Sequence, residues 1–334
     1  MRKELFDDQL IVITGAAGFI GSGVIRYLNE RGYTNLILVD DFERTEKWKN
    51  LRHKRFVDFI SRHDIFDFLE GRENDIEAFI HLGACSDTVE TDGDYMMETN
   101  YDFSVELAEY ALSHDHRFIY ASSAATYGDG SLGFDDDEER LDELHPLNLY
   151  GFSKQMFDKW LQEQGVLDKV VGLKYFNIFG PNERHKGRMA SMVMHMADQI
   201  KYSGKVRLFQ SSEPKKYGDG EQCRDFYYVK DAVKMTCFFL DHDINGIFNV
   251  GSGVAHTWNH MAKTVFSVLG KPVNIEYIPM PEDLAKNYQN YTLANMKKFH
   301  SLLEKESLNF TNDFSFEEGI NDYLSNYLLK DKQW

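Results

Sequence analysis

The first half of the chain alternates short apolar runs with longer amphipathic stretches. Runs of branched aliphatic residues between helical stretches are typical of parallel strands that are buried on both faces and joined by crossover helices. The pattern predicts helices at 19–31 and 95–113 and strands at 10–14, 35–40, 54–59, 78–82, 117–121 and 170–175. This order predicts an α/β fold with a doubly wound parallel sheet, in which ligands bind at the carboxyl ends of the strands.

The second half of the chain is less regular. It shows helical spacing at 228–240, 258–269 and 314–329, whose aromatic residues we interpret as core, and a short strand at 248–251. We expect the sheet domain to comprise residues 1–175 and about 226–271. A smaller, discontinuous α/β lobe is expected from about 176–225 and 272–334.

Composition narrows the function classes. The 334 residues carry a formal net charge of −17, which argues against general binding to nucleic acid or to an anionic membrane, so an anionic ligand needs a local basic pocket. Cys85, Cys223 and Cys237 are widely spaced, and they predict a reducing compartment without a disulfide framework or a metal site. No apolar run approaches the roughly 20 residues of a membrane span. We therefore expect a cytoplasmic protein.

A glycine-rich turn follows the first predicted strand. Gly15, Gly18 and Gly21 permit a tight turn, a close approach to a phosphate, and packing of the next helix on the strand. That helix directs its first amides at a pyrophosphate. Asp40 ends the second strand about 20 residues further on, where a carboxylate accepts hydrogen bonds from an adenine ribose. The pattern predicts dinucleotide binding; the alternative is an ordinary strand-to-helix turn.

The motif Tyr150-Gly-Phe-Ser-Lys154 is a candidate acid/base pair. Residues four apart lie on the same helix face. A nearby positive charge lowers the pKa of a phenol, ordinarily about 10, towards the range needed for nicotinamide chemistry on an alcohol. The alternative is a surface helix that carries an aromatic and a cation. A hydroxyl at the end of the fifth strand, Ser122 or Ser123, can hold a substrate oxygen beside Tyr150.

Taken in order, the Gly-x-x-Gly-x-x-Gly turn, Asp40, a serine, Tyr150 and Lys154 resemble the extended short-chain dehydrogenases/reductases. The resemblance implies a Rossmann-type domain. It selects Ser123, because the family serine or threonine stands five residues before Gly128. It also implies that Lys154 binds the nicotinamide ribose and lowers the pKa of Tyr150.

The same resemblance implies one tightly bound nicotinamide dinucleotide per subunit. Asp40 favours NAD, whereas Arg44 and Lys47 offer positive charge for the 2'-phosphate of NADP. Thr99 or Asn100 is expected near the nicotinamide, with capping or packing as the alternative role. The residues expected to contact the cofactor are Gly15, Gly18, Phe19, Ile20, Gly21, Asp40, Asp41, Lys47, Arg62, Leu82, Gly83, Ala84, Cys85, Ser86, Thr99, Asn100, Tyr150, Lys154 and Ile178.

Residues 182–191 contain the block His-Lys-Gly-x-Met-Ala-Ser and resemble the ADP-glyceromanno-heptose 6-epimerase family. UDP-sugar enzymes share the cofactor motifs but not this block. The resemblance implies inversion of C6 of ADP-D-glycero-D-manno-heptose to the L-glycero epimer through a transient 6-ketone, for lipopolysaccharide inner-core heptose synthesis. It implies a redox-neutral isomerase that prefers NADP over NAD, and a homo-oligomer, with a pentamer as one form.

Inversion needs proton exchange on both faces of the ketone, and the family resemblance gives this work to Tyr150 and Lys186. Burial and nearby positive charge would lower the pKa of Lys186 towards neutrality. The alternative is a permanently charged lysine that grips the diphosphate. The residues expected to contact substrate are Ser123, Asn177, Lys186, Arg188, His195, Phe209, Gln210, Ser211, Ser212, Arg224 and Tyr288.

The loop 213–223 is longer than is usual in that family. It is either a solvated insertion or a lid, and it leaves the assignment of 209–212 open. Two alternative functions also stay open. One is another nucleotide-sugar epimerase or reductase, although Ala124 and Ala125 lack the acidic pair of a 4,6-dehydratase. The other is a non-catalytic dinucleotide sensor.

Overall fold

The computed structural model describes residues 8–281 and 288–334; the remainder of the predicted domain ranges, 1–7 and 282–287, lies outside the described residues. The strands are β1 (Leu10–Thr14), β2 (Leu36–Val39), β3 (Asp58–Ile60), β4 (Ile76–His81), β5 (Arg117–Ser123), β6 (Val170–Tyr175), β7 (Asn177–Phe179), β8 (Val206–Phe209), β9 (Cys223–Tyr228), β10 (Gly246–Val250), β11 (Ala255–Thr257) and β12 (Ile275–Ile278).

The helices flank these strands. They are α1 (Phe19–Glu30), α2 (Ile65–Leu69), α3 (Gly93–Met97), α4 (Phe103–Ser113), α5 (Leu149–Glu163), α6 (Met192–Ser203), α7 (Val229–Leu240), α8 (Trp258–Val268), α9 (Lys297–Lys305) and α10 (Phe316–Asp322). Short 3-10 turns include Lys47–Leu51, Ala124–Tyr127 and Arg184–Met189. None of the helices in the described ranges is long and apolar enough to cross a membrane.

A seven-stranded sheet with the order β10-β6-β5-β4-β1-β2-β3 forms the centre, and every neighbouring pair in it is parallel. Residues of β1, β2, β4 and β6 are buried almost throughout, because helices cover both faces. The predicted α/β fold class is confirmed. The strand order reverses between β1 and β4, so a ligand crevice is expected at their carboxyl ends.

Three predicted elements differ clearly from the structure. The helix expected at 314–329 is α-helical only at Phe316–Asp322 and continues as a π-helical turn at Tyr323–Tyr327. The strand expected at 54–59 is reduced to Asp58–Ile60, since Lys54 is turned inward and its Nζ donates to the carbonyl of Trp334 at 2.6 Å. The helix expected at 95–113 is interrupted by a π-helical turn at Glu98–Asp102. Such turns re-aim side chains and are frequent at functional sites.

Two small sheets lie beyond the central one. β9 pairs in parallel with β7 and antiparallel with β11, and β8 pairs in parallel with β12. The second pairing joins segments that are far apart in the sequence, 206–209 and 275–278. Helix α8 packs against α6 and β8, on the same side of the molecule.

Candidate active site

A cavity of about 1100 Å³ opens at the carboxyl ends of β1, β4 and β5. Five basic side chains line it, and four acidic side chains accompany them. A protein with a net charge of −17 thus concentrates positive charge in one cleft, as recognition of an anionic ligand requires. The basic residues are Lys47, Arg62, Lys154, Lys186 and Arg224.

The glycine turn forms one wall of this cleft. Gly15 has a left-handed φ of 63°, and a Cβ at this position would lie 2.7 Å from the amide nitrogen of Gly83. A Cβ at Gly21 would collide with the carbonyl oxygen of Gly15. Helix α1 starts after Gly18, which has no side chain to cap the first amides. These uncapped amides at a helix N-terminus fit the pyrophosphate of a dinucleotide.

Asp40 ties the second strand to the glycine turn. Its Oδ2 accepts a hydrogen bond from the amide of Ala17 at 2.8 Å. Its Oδ1 lies 2.8 Å from Lys47 Nζ and also accepts from the amide of Asp41. The carboxylate is therefore already paired with a cation that the protein supplies. This pairing reduces the repulsion that Asp40 would otherwise exert on a phosphate at the same place.

A second cation stands beside this pair. Arg62 Nε lies 3.0 Å from Asp41 Oδ2, and its Nη1 donates to Thr99 Oγ1 at 3.2 Å. Asn100 does not line the cavity. It is fully buried, and it exchanges hydrogen bonds with the backbone of Cys85 and donates to Ser153 Oγ. Asn100 therefore supports the wall of the cleft, which is the packing role weighed above.

Helix α5 brings Tyr150 to the centre of the cleft. Asn148 caps the helix by accepting from the amide of Gly151 at 2.8 Å. Gly151 lets the helix approach the turn Ala124–Tyr127 after β5, because a Cβ there would lie 2.7 Å from the carbonyl oxygen of Ala125. As a result the Tyr150 side chain hydrogen-bonds Ser123.

The two serines at the end of β5 point to opposite sides, as residues of a strand do. Ser123 Oγ accepts from the amide of Ala125 at 3.1 Å and faces Tyr150. Ser122 Oγ instead donates to the buried carboxylate of Asp158 at 2.7 Å. The hydroxyl available beside Tyr150 is therefore that of Ser123.

The electrostatics of Tyr150 differ from the sequence prediction. Burial raises the pKa of Tyr150, and the hydrogen bond with Ser123 only partly opposes this effect. The predicted lowering of the Tyr150 pKa by Lys154 is wrong for this structure. The spacing of the two residues correctly predicted that they lie on the same face of a helix. It carries no information on how strongly burial disfavours the phenolate form.

Lys154 is 3% exposed and lines the cavity. Burial lowers its pKa to about 8, and the carboxylate of Asp158, one turn further along α5, opposes the change. Lys154 donates no hydrogen bond to any residue within 8–281 and 288–334. A buried amine without a protein acceptor at the cleft wall fits a ligand that brings its own hydroxyl acceptors.

A buried polar network lies beneath these residues. Lys174 Nζ, from β6, is 2.7 Å from Asp158 Oδ2, and the two side chains are 1% and 0% exposed. Lys174 Nζ also donates to Thr126 Oγ1 at 2.7 Å. Tyr120 Oη donates to Asp158 Oδ1 at 2.9 Å. The network therefore fixes α5 against β5 and β6 under the Ser123 turn.

Lys186 enters the same cavity from the turn Arg184–Met189. Its Nζ lies 5.4 Å from the ring centroid of Phe19. Burial lowers the pKa of Lys186, as predicted, while the charge of Glu183 raises it. Lys154 does not contribute to the lowering of the Lys186 pKa, so of the predicted causes only burial acts.

Arg224 lies at the far end of the cavity between two aromatic rings. Its Cζ is 5.8 Å from the Trp258 ring and 5.1 Å from the Tyr288 ring. Trp258 Nε1 donates to Tyr288 Oη at 3.0 Å. Asn177 lies nearby and accepts from Thr292 Oγ1 at 3.2 Å. A guanidinium held between rings is suited to bidentate binding of a phosphate.

Most of the predicted site residues line this single cavity, but seven do not. Asn100 is buried behind the wall. Arg188 is largely exposed and pairs with Asp87 at 2.6 Å. His195 lies on the outer side of α6 and contacts the carbonyl of Arg188. Residues 209–212, the last residue of β8 and the three that follow it, lie outside the cavity.

The loop after them is folded on itself rather than across the cleft. The amide of Ser211 donates to Asp219 at 2.9 Å. Asn259, in α8, holds the loop through the carbonyls of Asp219 and Gly220. The loop therefore lies against α8, as a surface insertion does.

Sequence reasoning missed several residues of the cavity. Trp258 begins α8 and was interpreted as core, since an aromatic residue in a periodic stretch gives no sign of facing a cleft. His185 precedes Lys186 in the block that carried the resemblance, and burial lowers its pKa to about 4. Other missed residues include Thr45, Tyr95, Leu147, Phe226, Gln289 and Thr292.

Comparisons with known proteins agree with this geometry. Residues 11–251 match the sequence profile of the NAD dependent epimerase/dehydratase family. A Nitratidesulfovibrio vulgaris (strain DP4) protein named ADP-L-glycero-D-manno-heptose-6-epimerase is 45% identical over 322 residues, which cover 96% of this chain and 98% of that protein. A Fusobacterium nucleatum protein of the same name is 41% identical over 337 residues, with coverage of 97% and 100%.

Solved structures of nucleotide-sugar epimerases are similar to this chain over almost its whole length. The crystal structure of the Helicobacter pylori ADP-L-glycero-D-manno-heptose-6-epimerase has a TM-score of 0.77 and 28% identity, and covers 96% of both chains. A Thermotoga maritima UDP-glucose 4-epimerase crystallised with UDP-glucose has a TM-score of 0.76 and 25% identity, covering 95% of this chain and 98% of that one. The chain therefore belongs to the NAD dependent epimerase/dehydratase family and, within it, groups with the ADP-L-glycero-D-manno-heptose-6-epimerases.

Proposed function

We propose that the protein inverts C6 of ADP-D-glycero-D-manno-heptose by transient oxidation to a 6-ketone and return of the hydrogen to the opposite face. Relatives named for this activity align with almost the whole chain. The observation that carries the proposal is that Ser123, Tyr150 and Lys186 line one cavity although they come from three separate segments.

The chain's own residues handle the protons. The nicotinamide, when bound, supplies the hydride acceptor and donor. Tyr150 and Lys186 each exchange a proton with the C6 oxygen, one for each face, because a single fixed group reaches only one face. Ser123 holds Tyr150 in place and can donate to the same substrate oxygen. Lys154 places a buried amine beside them.

Arg224 is assigned to the diphosphate of the substrate. It is 7% exposed and opens onto the cavity between Trp258 and Tyr288. Asn177 and Ile178 line the cavity after β6, between the assigned cofactor and substrate ends. Arg188, His195 and residues 209–212 stay predictions as substrate contacts, since they do not line the cavity.

We infer that the cofactor is NADP, with NAD as the alternative. The support is the Lys47–Asp40 pair, which offers a cation and a neutralised carboxylate where a free aspartate would repel a 2'-phosphate. Arg62 adds a second cation nearby. Denaturing the purified protein and identifying the released dinucleotide tests this inference. Release of NADP is expected, and release of NAD alone would contradict it.

The division of the chain into a cofactor domain and a substrate lobe is also part of the proposal. The pairing of β8 with β12 supports a lobe built from two separated segments. The packing of α8 against α6 supports adding residues 258–268 to that lobe. A cytoplasmic homo-oligomer, with a pentamer as one form, and a role in lipopolysaccharide precursor synthesis complete the proposal.

The direct test is incubation with ADP-D-glycero-D-manno-heptose, followed by NMR at C6. The L-glycero epimer should accumulate to an equilibrium mixture. UDP-glucose is the matched control substrate. Turnover of UDP-glucose but not of the ADP-heptose would favour another nucleotide-sugar epimerase. A bound dinucleotide without turnover of either substrate would favour a sensor.

A further inference from the structure

The segment that carries Lys186 is held by one buried carboxylate. Glu183 is 1% exposed, and both of its oxygens are engaged. Oε2 accepts from the amide of Ser191 at 2.7 Å, and Oε1 accepts from the hydroxyl of Ser191 at 2.6 Å. The amide of Gly180 lies 3.5 Å from Oε1. The side chain of Tyr323 hydrogen-bonds the same carboxylate.

These contacts close a loop. Glu183 and Ser191 stand on opposite sides of the turn Arg184–Met189, so the carboxylate joins the two ends of the segment. Within it, the amide of Lys186 donates to the carbonyl of Glu183 at 2.9 Å. The position of Lys186 at the cavity therefore depends on Glu183 through both the backbone and the side chain.

The hydrogen bond between Ser191 and Glu183 replaces the usual side-chain cap of helix α6. Ser191 occupies the N-cap of α6, where a serine oxygen usually accepts a bond from an amide of the first turn. Here the side chain makes no such bond, and the hydroxyl donates to Glu183 instead. The carboxylate thus determines the rotamer of Ser191.

Glu183 also supplies charge. No ion pair joins it to a cation within 8–281 and 288–334. Burial raises the pKa of Glu183, and the hydrogen bonds from Ser191 and the charge of Lys186 oppose this effect. Burial lowers the pKa of Lys186, and the negative charge of Glu183 raises it. The other groups around Glu183 are Tyr323, from the C-terminal helical segment, and Arg184 and Asp198, which act on Tyr323.

We propose that Glu183 is the positioning residue for Lys186: its buried carboxylate closes the loop that carries the amine into the cavity and places a negative charge in the same segment. This inference rests on the proposed function, in which Lys186 exchanges a proton with the substrate. Glu183 itself is buried and does not line the cavity, so its effect passes through Lys186.

Three variants test the proposal. Glu183→Gln keeps the shape and an acceptor oxygen but removes the charge. Glu183→Ala removes both. Asp231→Asn is the matched control, because Asp231 is also a 1% exposed carboxylate that holds a loop, through the amides of Asp313 at 2.7 Å and Phe314 at 3.2 Å, but it does not line the cleft.

The readouts are kcat and KM over a pH series, and the pH dependence of Lys186 acetylation by acetic anhydride, measured by peptide mass spectrometry without turnover. In Glu183→Gln, kcat should fall about tenfold with KM nearly unchanged. The Lys186 labelling curve should move towards acid, because the amine loses a nearby negative charge. Glu183→Ala should lose more activity. Asp231→Asn should match the wild type in both readouts.

Unchanged kcat and an unchanged labelling curve in Glu183→Gln would overturn the inference. If that variant does not fold, Ser191→Ala removes one tie and keeps the charge. It should lower kcat and leave the labelling curve in place, and a wild-type kcat would overturn the inference. Lys186→Met distinguishes failure of the proposed function from failure of this inference. Full activity of Lys186→Met would refute the proposed role of Lys186. If Lys186→Met is inactive while Glu183→Gln is unaffected, only the role of Glu183 is refuted.

Discussion

The buried ion pair under the Ser123 turn allows a stability prediction with a definite size. In Lys174→Met, Asp158 keeps its hydrogen bonds from Tyr120 and Ser122 but loses the cation 2.7 Å away. Both side chains are essentially inaccessible to water, so solvent cannot replace the lost partner. The variant therefore leaves a carboxylate buried without a counter-charge.

Breaking a buried pair in this way costs about 3–5 kcal/mol. A typical domain has a free energy of unfolding of about 5–15 kcal/mol, so Lys174→Met should lose a large fraction of the total. Asp158→Asn with Lys174→Met removes both charges and keeps an acceptor oxygen for one of the two hydroxyls. The double variant should lose less than Lys174→Met alone, which makes the coupling energy between the two sites about 2 kcal/mol or more.

Urea unfolding followed by circular dichroism measures these differences, provided that the variants share one m value. Wild type, both single variants and the double variant complete the cycle. A loss below about 1 kcal/mol in Lys174→Met, or losses in the double variant that simply add, would refute the reasoning, because either result means that the charges are not coupled in the core.

Three further predictions concern the cleft. Tyr150→Phe should lower kcat by about 10²–10⁴ while the purified protein still carries its dinucleotide; wild-type kcat would contradict this. Burial lowers the pKa of Lys154 from 10.5 to about 8, so the unfolded chain binds more protons between these pH values and wild-type stability rises with pH there. In urea unfolding at pH 7, the free energy of unfolding of cofactor-free Lys154→Met should thus be about 3 kcal/mol higher than that of the wild type, and this difference should shrink above pH 8. A difference that does not change with pH would contradict the prediction. Lys47→Ala should reduce the preference for NADP over NAD about tenfold or more in titrations, and an unchanged ratio would reject its role.

Most strands of the central sheet were predictable because a short run of neighbouring residues is enough to identify each of them. The bounds of β1 and β6 agree with the prediction to the residue. β1 is an apolar run that ends at Thr14, before the glycine turn, whereas β6 also contains Gly172 and the buried Lys174. The third strand was misplaced, because Lys54 reads as a surface residue and the sequence does not show that a carbonyl 280 positions later receives its amine. Contacts of that range are set by the whole fold.

The positions of the site residues were predictable where a sequence motif fixes the geometry. Properties that depend on burial, such as the pKa of a side chain, were less predictable. The resemblance to the heptose epimerases, read from residues 182–191, is confirmed by relatives 41% and 45% identical. Spacing placed Tyr150 and Lys154 on one face but gave the wrong direction for the Tyr150 pKa. Arg188 belongs to the same block and His195 follows it in α6, yet Arg188 pairs with Asp87 and His195 contacts the carbonyl of Arg188, and neither lines the cavity.

The most direct test of the central claim follows the hydrogen at C6. ADP-D-glycero-D-manno-heptose carrying deuterium at C6 is incubated with the protein in ordinary water, and the L-glycero product is analysed by NMR and mass spectrometry. If one nicotinamide removes and returns the same hydrogen, the product keeps its deuterium in full. Replacement of the deuterium by solvent hydrogen would show that C6 is inverted through proton abstraction from carbon, and would contradict the account.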